Sequence, residues 1–218
     1  MPFSVGATIN PVPGSVIIRR QGQRANAWHN GIDLSGDVGT PVYAAAPGTV
    51  HKVVNDCLSR SQINALTPRQ RQSRSGGPCY CGSTYGNYVV VKHADNLYTL
   101  YAHLDTVLVG VGQTVTTSTQ LGTVGATTAL PNDRCLSMVS HLHFEVVKSW
   151  PLAANDIESR YDVLQQLALG GVGLQGEALV VTNIPSVYAE ARLSRAKSFH
   201  KTAPNFDQTA GVPTHTKP

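Results

Sequence analysis

Apolar residues in this chain come in short runs, each ended by Gly, Pro or Asn. Val42-Tyr43-Ala44 leads to a turn at Pro47-Gly48, then to Thr49-Val50-His51-Lys52-Val53-Val54. Tyr85 to His93 and Leu97 to Leu104 flank Ala94-Asp95-Asn96, a β-hairpin pattern. Shorter strands are predicted at Ser15–Ile18, between Val107 and Thr119, and at Leu121–Val124, around Gly110, Gly112 and Gly122. The last predicted strand is Ser140-His141-Leu142-His143-Phe144-Glu145-Val146, which no Gly or Pro interrupts.

Two stretches break the rhythm. Residues 55–84 are polar, with Arg60, Arg69, Arg71, Arg74 and three cysteines. They read as a long basic loop stapled by sulfur, since an unconstrained loop of that length is uncommon in a compact domain. Residues 127–139 form a second break and contain Cys135. Beyond Pro151 the period changes. Asn155 is an N-cap with Glu158 three residues on, and Ile157, Tyr161, Leu164 and Leu167 share a helical face until Gly170-Gly171. A strand over 176–184, a second helix over 185–197 and a polar tail complete the prediction. The fold class expected from these runs is mostly β, short strands joined by turns, with a short α-containing C-terminal extension. The expected divisions are an N-terminal segment 1–21, a main domain 22–150 carrying the insertion 55–84, and an extension 151–218.

Composition narrows the classes. With 41% hydrophobic and 14% charged residues the chain is a folded protein, and 20 Gly with 13 Pro favour strands and turns over a helical bundle. A net charge of +4 suits an anionic partner without selecting one. No run of basic residues interleaved with aromatics appears, which argues against nucleic acid. No stretch is long and apolar enough to span a membrane. Met1 to Asn10 lacks a basic start, an apolar run and a small-residue cleavage site, so no signal peptide is predicted. The four cysteines allow two disulfides in three pairings. Cys79-Tyr80-Cys81 is too tightly spaced for a zinc ribbon, which favours a disulfide over cysteine-held metal.

The chemistry concentrates on histidines. On a strand, His141 and His143 share one face while Leu142 and Phe144 share the other. Two adjacent imidazoles make a poor core but a good metal or acid–base site. His29 and Asp33 are four apart, and the Asn30-Gly31 pair with Gly36 and Gly39-Thr40-Pro41 argues against a helix; on an extended chain they share a face. His103 completes the set. Zinc in a hydrolase takes three protein ligands and keeps a position for water. A His/Asp/His set leaves the metal net positive, and two further imidazoles can accept a proton and support an oxyanion.

These residues resemble the lysostaphin/LytM-type zinc endopeptidases of bacterial peptidoglycan. The likeness is carried by His29-Asn30-Gly31-Ile32-Asp33, Tyr101-Ala102-His103-Leu104 and His141-Leu142-His143-Phe144-Glu145, in order. The flanks Gly39-Thr40-Pro41-Val42-Tyr43-Ala44, Gly48-Thr49-Val50 and Tyr85-Gly86-Asn87-Tyr88-Val89-Val90 match as well, so the resemblance runs from about Gly22 to Val147. It implies a lysostaphin/LytM-type (duplicated hybrid motif-like), mostly antiparallel β-sheet core with a groove, and one Zn2+ per chain on His29, Asp33 and His143. It implies catalytic roles for His103 and His141, with Tyr101, on the face of His103 by the period-2 rule, lining the groove. The substrate implied is the peptide of peptidoglycan, cut at stem peptides or cross-bridges in the cell wall or periplasm. The chain departs from the family in the insertion 55–84 and in the segment 127–139, both expected to rim the groove, and Cys135 is expected to bond a cysteine of the insertion.

Blander readings apply to other residues. His51, His93, His200 and His215 read as surface histidines, Arg24 as either a groove residue or a surface charge, and the arginines at 60–74 as a solvated loop. Glu145 receives no role. The absent leader, the basic loop and the appended end are compatible with phage delivery, as a lysin or a virion tail component whose residues 151–218 dock to tail or baseplate proteins. The competing class is a non-catalytic wall-binding or tail module; such relatives lose ligands, whereas all five residues are present here.

Overall fold

The period-2 runs pair with one another. A computed structural model of the protein describes residues 9–23, 28–71, 81–129, 138–152, 160 and 163. Its strands are β1 (Ile17–Arg19), β2 (Gly22–Gln23), β3 (Trp28–His29), β4 (Ile32–Ser35), β5 (Pro41–Tyr43), β6 (Gly48–Val54), β7 (Asn87–Lys92), β8 (Tyr98–Val107), β9 (Thr114–Val115), β10 (Gln120–Val124) and β11 (His141–Val147). Nine of them form one sheet in the order β1-β4-β11-β8-β7-β6-β9, with β10 pairing both β5 and β8, while β2 and β3 make a separate ribbon. Every pairing among the described residues is antiparallel, as the resemblance implies.

Strand β11 lies between β4 and β8 and is buried along its whole length. Leu142, Phe144 and Val146 enter the main core with Ile32, Leu34, Val89, Tyr101 and Leu121. Val147 joins Tyr88, Val90, Tyr98, Leu100 and Ala102 in a second apolar cluster. The histidines that alternate with Leu142 and Phe144 are therefore held on a strand covered on both faces. Each fully buried large apolar side chain contributes about 1.5–3 kcal/mol to that support. Gly31 closes the turn between β3 and β4 beneath this strand. A Cβ there would meet the Phe144 carbonyl oxygen at 2.2 Å, so only glycine allows the approach.

The insertion 55–84 is not simply a loop. It carries two short helices, α1 (Arg60–Ala65) and α2 (Pro68–Arg71). Ser59 accepts from the Gln62 N–H while Gln62 caps Ser59 in return, and Thr67 and Gln70 repeat the arrangement. Neither helix buries a residue. A Cys57–Cys81 disulfide closes the insertion. Cys57 is tied to β7, donating its N–H to Asn87 Oδ1 and accepting from Asn87 Nδ2, both at 2.9 Å. The backbone N–H of Arg60 donates to the Asp105 carboxylate. Cys79 and Cys135 lie outside the described residues; with Cys57 and Cys81 joined, only Cys79 is left in the insertion to pair with Cys135.

Of the extension expected over 151–218, only residues 151, 152, 160 and 163 are among the described residues. The helix expected from Ile157, the strand over 176–184, the helix over 185–197, and Arg24, Arg74, His200 and His215 all lie outside the described residues. Among the described residues no helix is long and apolar enough to cross a membrane.

Candidate active site

The five residues singled out from the sequence meet at one place. His29 ends β3 and Asp33 lies in β4, so the pair comes together across the Asn30-Gly31 turn rather than along one extended strand. Asp33 is directly opposite His143 in the β4–β11 register. Their donor atoms form a nearly equilateral triangle: His29 Nε2 is 2.9 Å from Asp33 Oδ1 and 3.0 Å from His143 Nδ1, which is 2.9 Å from the same Oδ1. All three side chains are buried.

The outward hydrogen bonds fix what points inward. His29 Nδ1 lies 2.8 Å from the Arg20 carbonyl, which can only accept, so Nδ1 carries the proton and Nε2 turns a lone pair to the triangle. His143 Nε2 lies 2.9 Å from the Glu145 carboxylate and donates to it, so Nδ1 turns a lone pair inward as well. Three electron-rich atoms about 3 Å apart demand a cation between them, and they can hold a metal ion. Protons meet that demand when no ion does. Burial would depress His143, but hydrogen bonds to Asp33 and Glu145 outweigh it and push it up to about 9. Burial would raise Asp33, but hydrogen bonds from His143 and His29 hold its carboxyl well below the usual carboxylate range. Arg19, largely exposed, approaches the other Asp33 oxygen at 3.5 Å.

His141 and His103 stand beside the triangle with ring centroids 4.9 Å apart, and His103 is 5.8 Å from His143. His141 Nδ1–H donates to the Val139 carbonyl at 2.7 Å, which leaves Nε2 3.7 Å from Asp33 Oδ1. His103 Nδ1–H donates to the Thr127 carbonyl at 2.8 Å, leaving its Nε2 free to accept. Burial lowers His141. Burial, reinforced by His143 and His141, takes His103 down to about 3. Both are neutral bases at neutral pH. The four imidazoles keep 6–8% of their surface accessible, so the cluster is dry but not sealed.

Tyr101 corrects the groove expectation. It is fully buried in the main core, where its hydroxyl accepts the Ala45 N–H at 2.8 Å. The cause is His103, whose φ is +63°. Asn87 pairs with Leu104 and Val89 with Tyr101, so β8 carries one residue more than β7 at this point. The bulge shifts the alternation, leaving Tyr101 and Leu104 in the core and His103 in the histidine cluster. His93 is also not a surface residue: it is buried, with Nδ1 2.8 Å from the Pro47 carbonyl and Nε2 2.7 Å from Thr99 Oγ1.

Glu145, to which the sequence reading gave no role, is fully buried. Its Oε1 accepts from His143 Nε2 and, at 2.7 Å, from the Tyr85 hydroxyl; its Oε2 accepts from Arg160 Nε at 2.9 Å. Burial would raise Glu145, but these partners, His143 first, hold it at about 2.

Comparison with known proteins points the same way. The profile described as Peptidase family M23 matches residues 27–158. Over 119 residues the chain is 34% identical to YgeR, an uncharacterized lipoprotein of Escherichia coli, covering 55% of this chain and 37% of that one. Over 121 residues it is 30% identical to ShyA, a peptidoglycan DD-endopeptidase of Vibrio cholerae, covering 56% and 20%. The chain thus spans less than half the length of either relative. Lysostaphin, the antimicrobial peptidase of Staphylococcus simulans, shares the fold with a TM-score of 0.54 at 18% identity, over 84% of this chain and 60% of that one.

Proposed function

From the premise that the chain belongs to peptidase family M23 and has the lysostaphin-type fold, we propose that it is a zinc-dependent endopeptidase of bacterial peptidoglycan. It hydrolyses peptide bonds in stem peptides or cross-bridges, in the cell wall or periplasm. The observation that carries this reading is the convergence of three donor atoms about 3 Å apart beside two neutral imidazoles.

His29, Asp33 and His143 are the residues that would hold the ion. When bound, zinc supplies polarisation of a carbonyl and acidification of a water. The rest falls to the chain's own groups. Water adds across the scissile C–N bond, its oxygen going to the carbonyl carbon. A bare Nε2, on His103 or His141, takes the water's proton, which finally reaches the leaving amine nitrogen. Neither Nε2 can donate while neutral, because each ring's proton is committed through Nδ1 to a backbone carbonyl. The imidazole that supports the oxyanion must therefore carry a second proton, and the acquired one serves. The buried cluster raises the strength of each of these interactions by excluding water.

Delivery by phage, as a lysin or tail component with residues 151–218 as a docking part, belongs to this proposal and rests on the sequence pattern alone. The test is metal analysis of the purified protein together with mass spectrometry of digested sacculi, with and without chelator. Zinc-dependent release of peptides, lost in His103→Ala and His141→Ala, is the expected result. Metal-free protein that binds sacculi and releases nothing would replace this reading with a wall-binding module.

A further inference from the structure

Resting on the assignment of His29, Asp33 and His143 as metal ligands, we propose that Arg160, beyond the family-matched span, is a positioning residue that aims His143 at the ion through Glu145. The matched span ends at residue 158, so this support comes from the chain that follows it.

An isolated antiparallel bridge between Val147 and Arg160 lays the returning chain beside the end of β11. From there the Arg160 side chain reaches Glu145, two residues back along β11, with Nε 2.9 Å from Oε2. Arg160 is 5% exposed and Glu145 not at all. Arg160 holds Oε2, which leaves Oε1 to accept from His143 Nε2–H at 2.9 Å. Without Arg160 the carboxylate loses the bond that fixes its rotation, and Oε1 is no longer held in line with the ring. The Nδ1 lone pair then loses its fixed orientation towards Asp33 Oδ1 and His29 Nε2. Arg160 thus aims Glu145, and Glu145 aims the His143 ring. Tyr85, hydrogen-bonded to Glu145 Oε1, braces the same carboxylate.

A second observation ties this return segment to the other imidazole ligand. Val163 is fully buried in the main core, and its N–H donates to Gln21 Oε1 at 3.1 Å. Gln21 follows Arg20, whose carbonyl fixes the tautomer of His29. The segment at 160 and 163 therefore backs both imidazole ligands from behind, one by an ion pair and one through the backbone of its anchor.

The test is zinc affinity of the full chain, by competition with a chromogenic chelator, alongside thermal melting of the metal-free protein. The variants are Arg160→Gln, Arg160→Lys and the double variant Glu145→Gln with Arg160→Gln. Zinc affinity should fall about 10- to 100-fold in Arg160→Gln, the usual effect of losing an outer-shell partner. Arg160→Lys, which keeps the charge, should retain more. The double variant removes the uncompensated charge, so its metal-free melting temperature should recover towards wild type while its zinc affinity stays low. Wild-type affinity in Arg160→Gln, or affinity that recovers in the double variant together with stability, would reduce Arg160 to a structural ion pair and overturn the inference. Wild-type protein that binds no zinc would instead overturn the ligand assignment itself, and this inference with it.

Discussion

Tyr101 and His103 are two residues apart on one strand, yet the first lies in the hydrophobic core and the second in the histidine cluster. The left-handed backbone at His103, φ +63°, makes this possible and carries strain for any residue with a Cβ. His103→Gly should therefore be more stable than His103→Ala by about 1 kcal/mol. Both should lose hydrolysis by about 10²- to 10⁴-fold while retaining zinc. Denaturant titration of the two variants, with metal analysis and peptide release from sacculi, checks both parts.

The strands of the sheet were legible because continuous β-branched runs such as Val89–Val91 and alternating ones such as Leu142–Val146 carry a strong local signal. The clustering of His29, Asp33, His103, His141 and His143 was legible because polar side chains stranded on such runs have few other uses, and the family motifs tie them together. The shift at His103 was not. Its N–H goes to the Tyr85 carbonyl and its ring to the Thr127 carbonyl, both distant in sequence, and no local residue announces the bulge. Glu145 was half legible: the same alternation puts it on the face of His143, and a carboxylate on a central strand needs partners. Those partners, Tyr85 and Arg160, are 60 and 15 residues away. The helices of the insertion left a readable signal in Ser59-x-x-Gln62 and Thr67-Pro68-x-Gln70, which the density of arginines and cysteines obscured.

Three lone pairs facing one another make the metal-free site electrostatically unfavourable unless protonated, so ion binding should stabilise the fold. At a free zinc concentration of 100 times Kd the gain is about 2.7 kcal/mol. Thermal melting with excess chelator and then with added zinc should show a reversible upward shift. Asp33→Ala, which removes the shared Oδ1 of the triangle, should abolish the shift. A shift that survives in Asp33→Ala would place the ion elsewhere.

His93 makes stability fall in mild acid. Burial lowers its pKa in the folded state, so the unfolded chain takes up the proton first as pH drops below about 6.5. Above that value both states are neutral and His93 contributes no pH dependence. Below it, stability declines until the folded His93 is itself protonated. Replacing His93 by Asn should cost about 1 kcal/mol at pH 7.5, through lost hydrogen bonds to Pro47 and Thr99. The same variant should have a shallower decline between pH 6.5 and 5, measured by urea midpoints across that range. An unchanged slope would show that His93 does not titrate as its burial requires.

The Cys57–Cys81 bond spans 24 residues and holds an insertion whose helices bury nothing of their own. Its stabilisation comes chiefly from restricting the unfolded chain, worth about 3 kcal/mol for a loop of this length. Cys57→Ser with Cys81→Ser should lose about that much in a denaturant titration. Peptide mapping without reductant should recover the two cysteines in one linked fragment, and recovery of either with another partner would refute the pairing.

Gly86 and Gly39 separate backbone strain from site geometry. Both have positive φ, +62° and +97°, but a Cβ at Gly39 meets nothing within 4 Å. At Gly86 it would lie 2.1 Å from the Thr127 carbonyl oxygen, the group that accepts from His103 Nδ1. Gly39→Ala should cost only the conformational strain, about 1 kcal/mol, with hydrolysis unchanged. Gly86→Ala must push the Thr127 carbonyl aside, so it should cost more than Gly39→Ala and also withdraw the bond that orients His103. Its rate on sacculi should fall at least about tenfold at a temperature where both variants remain folded, since misplacing a proton-transfer group by an ångström is enough for that loss. Equal rates in the two variants would show that the Thr127 carbonyl is not what holds His103 in place.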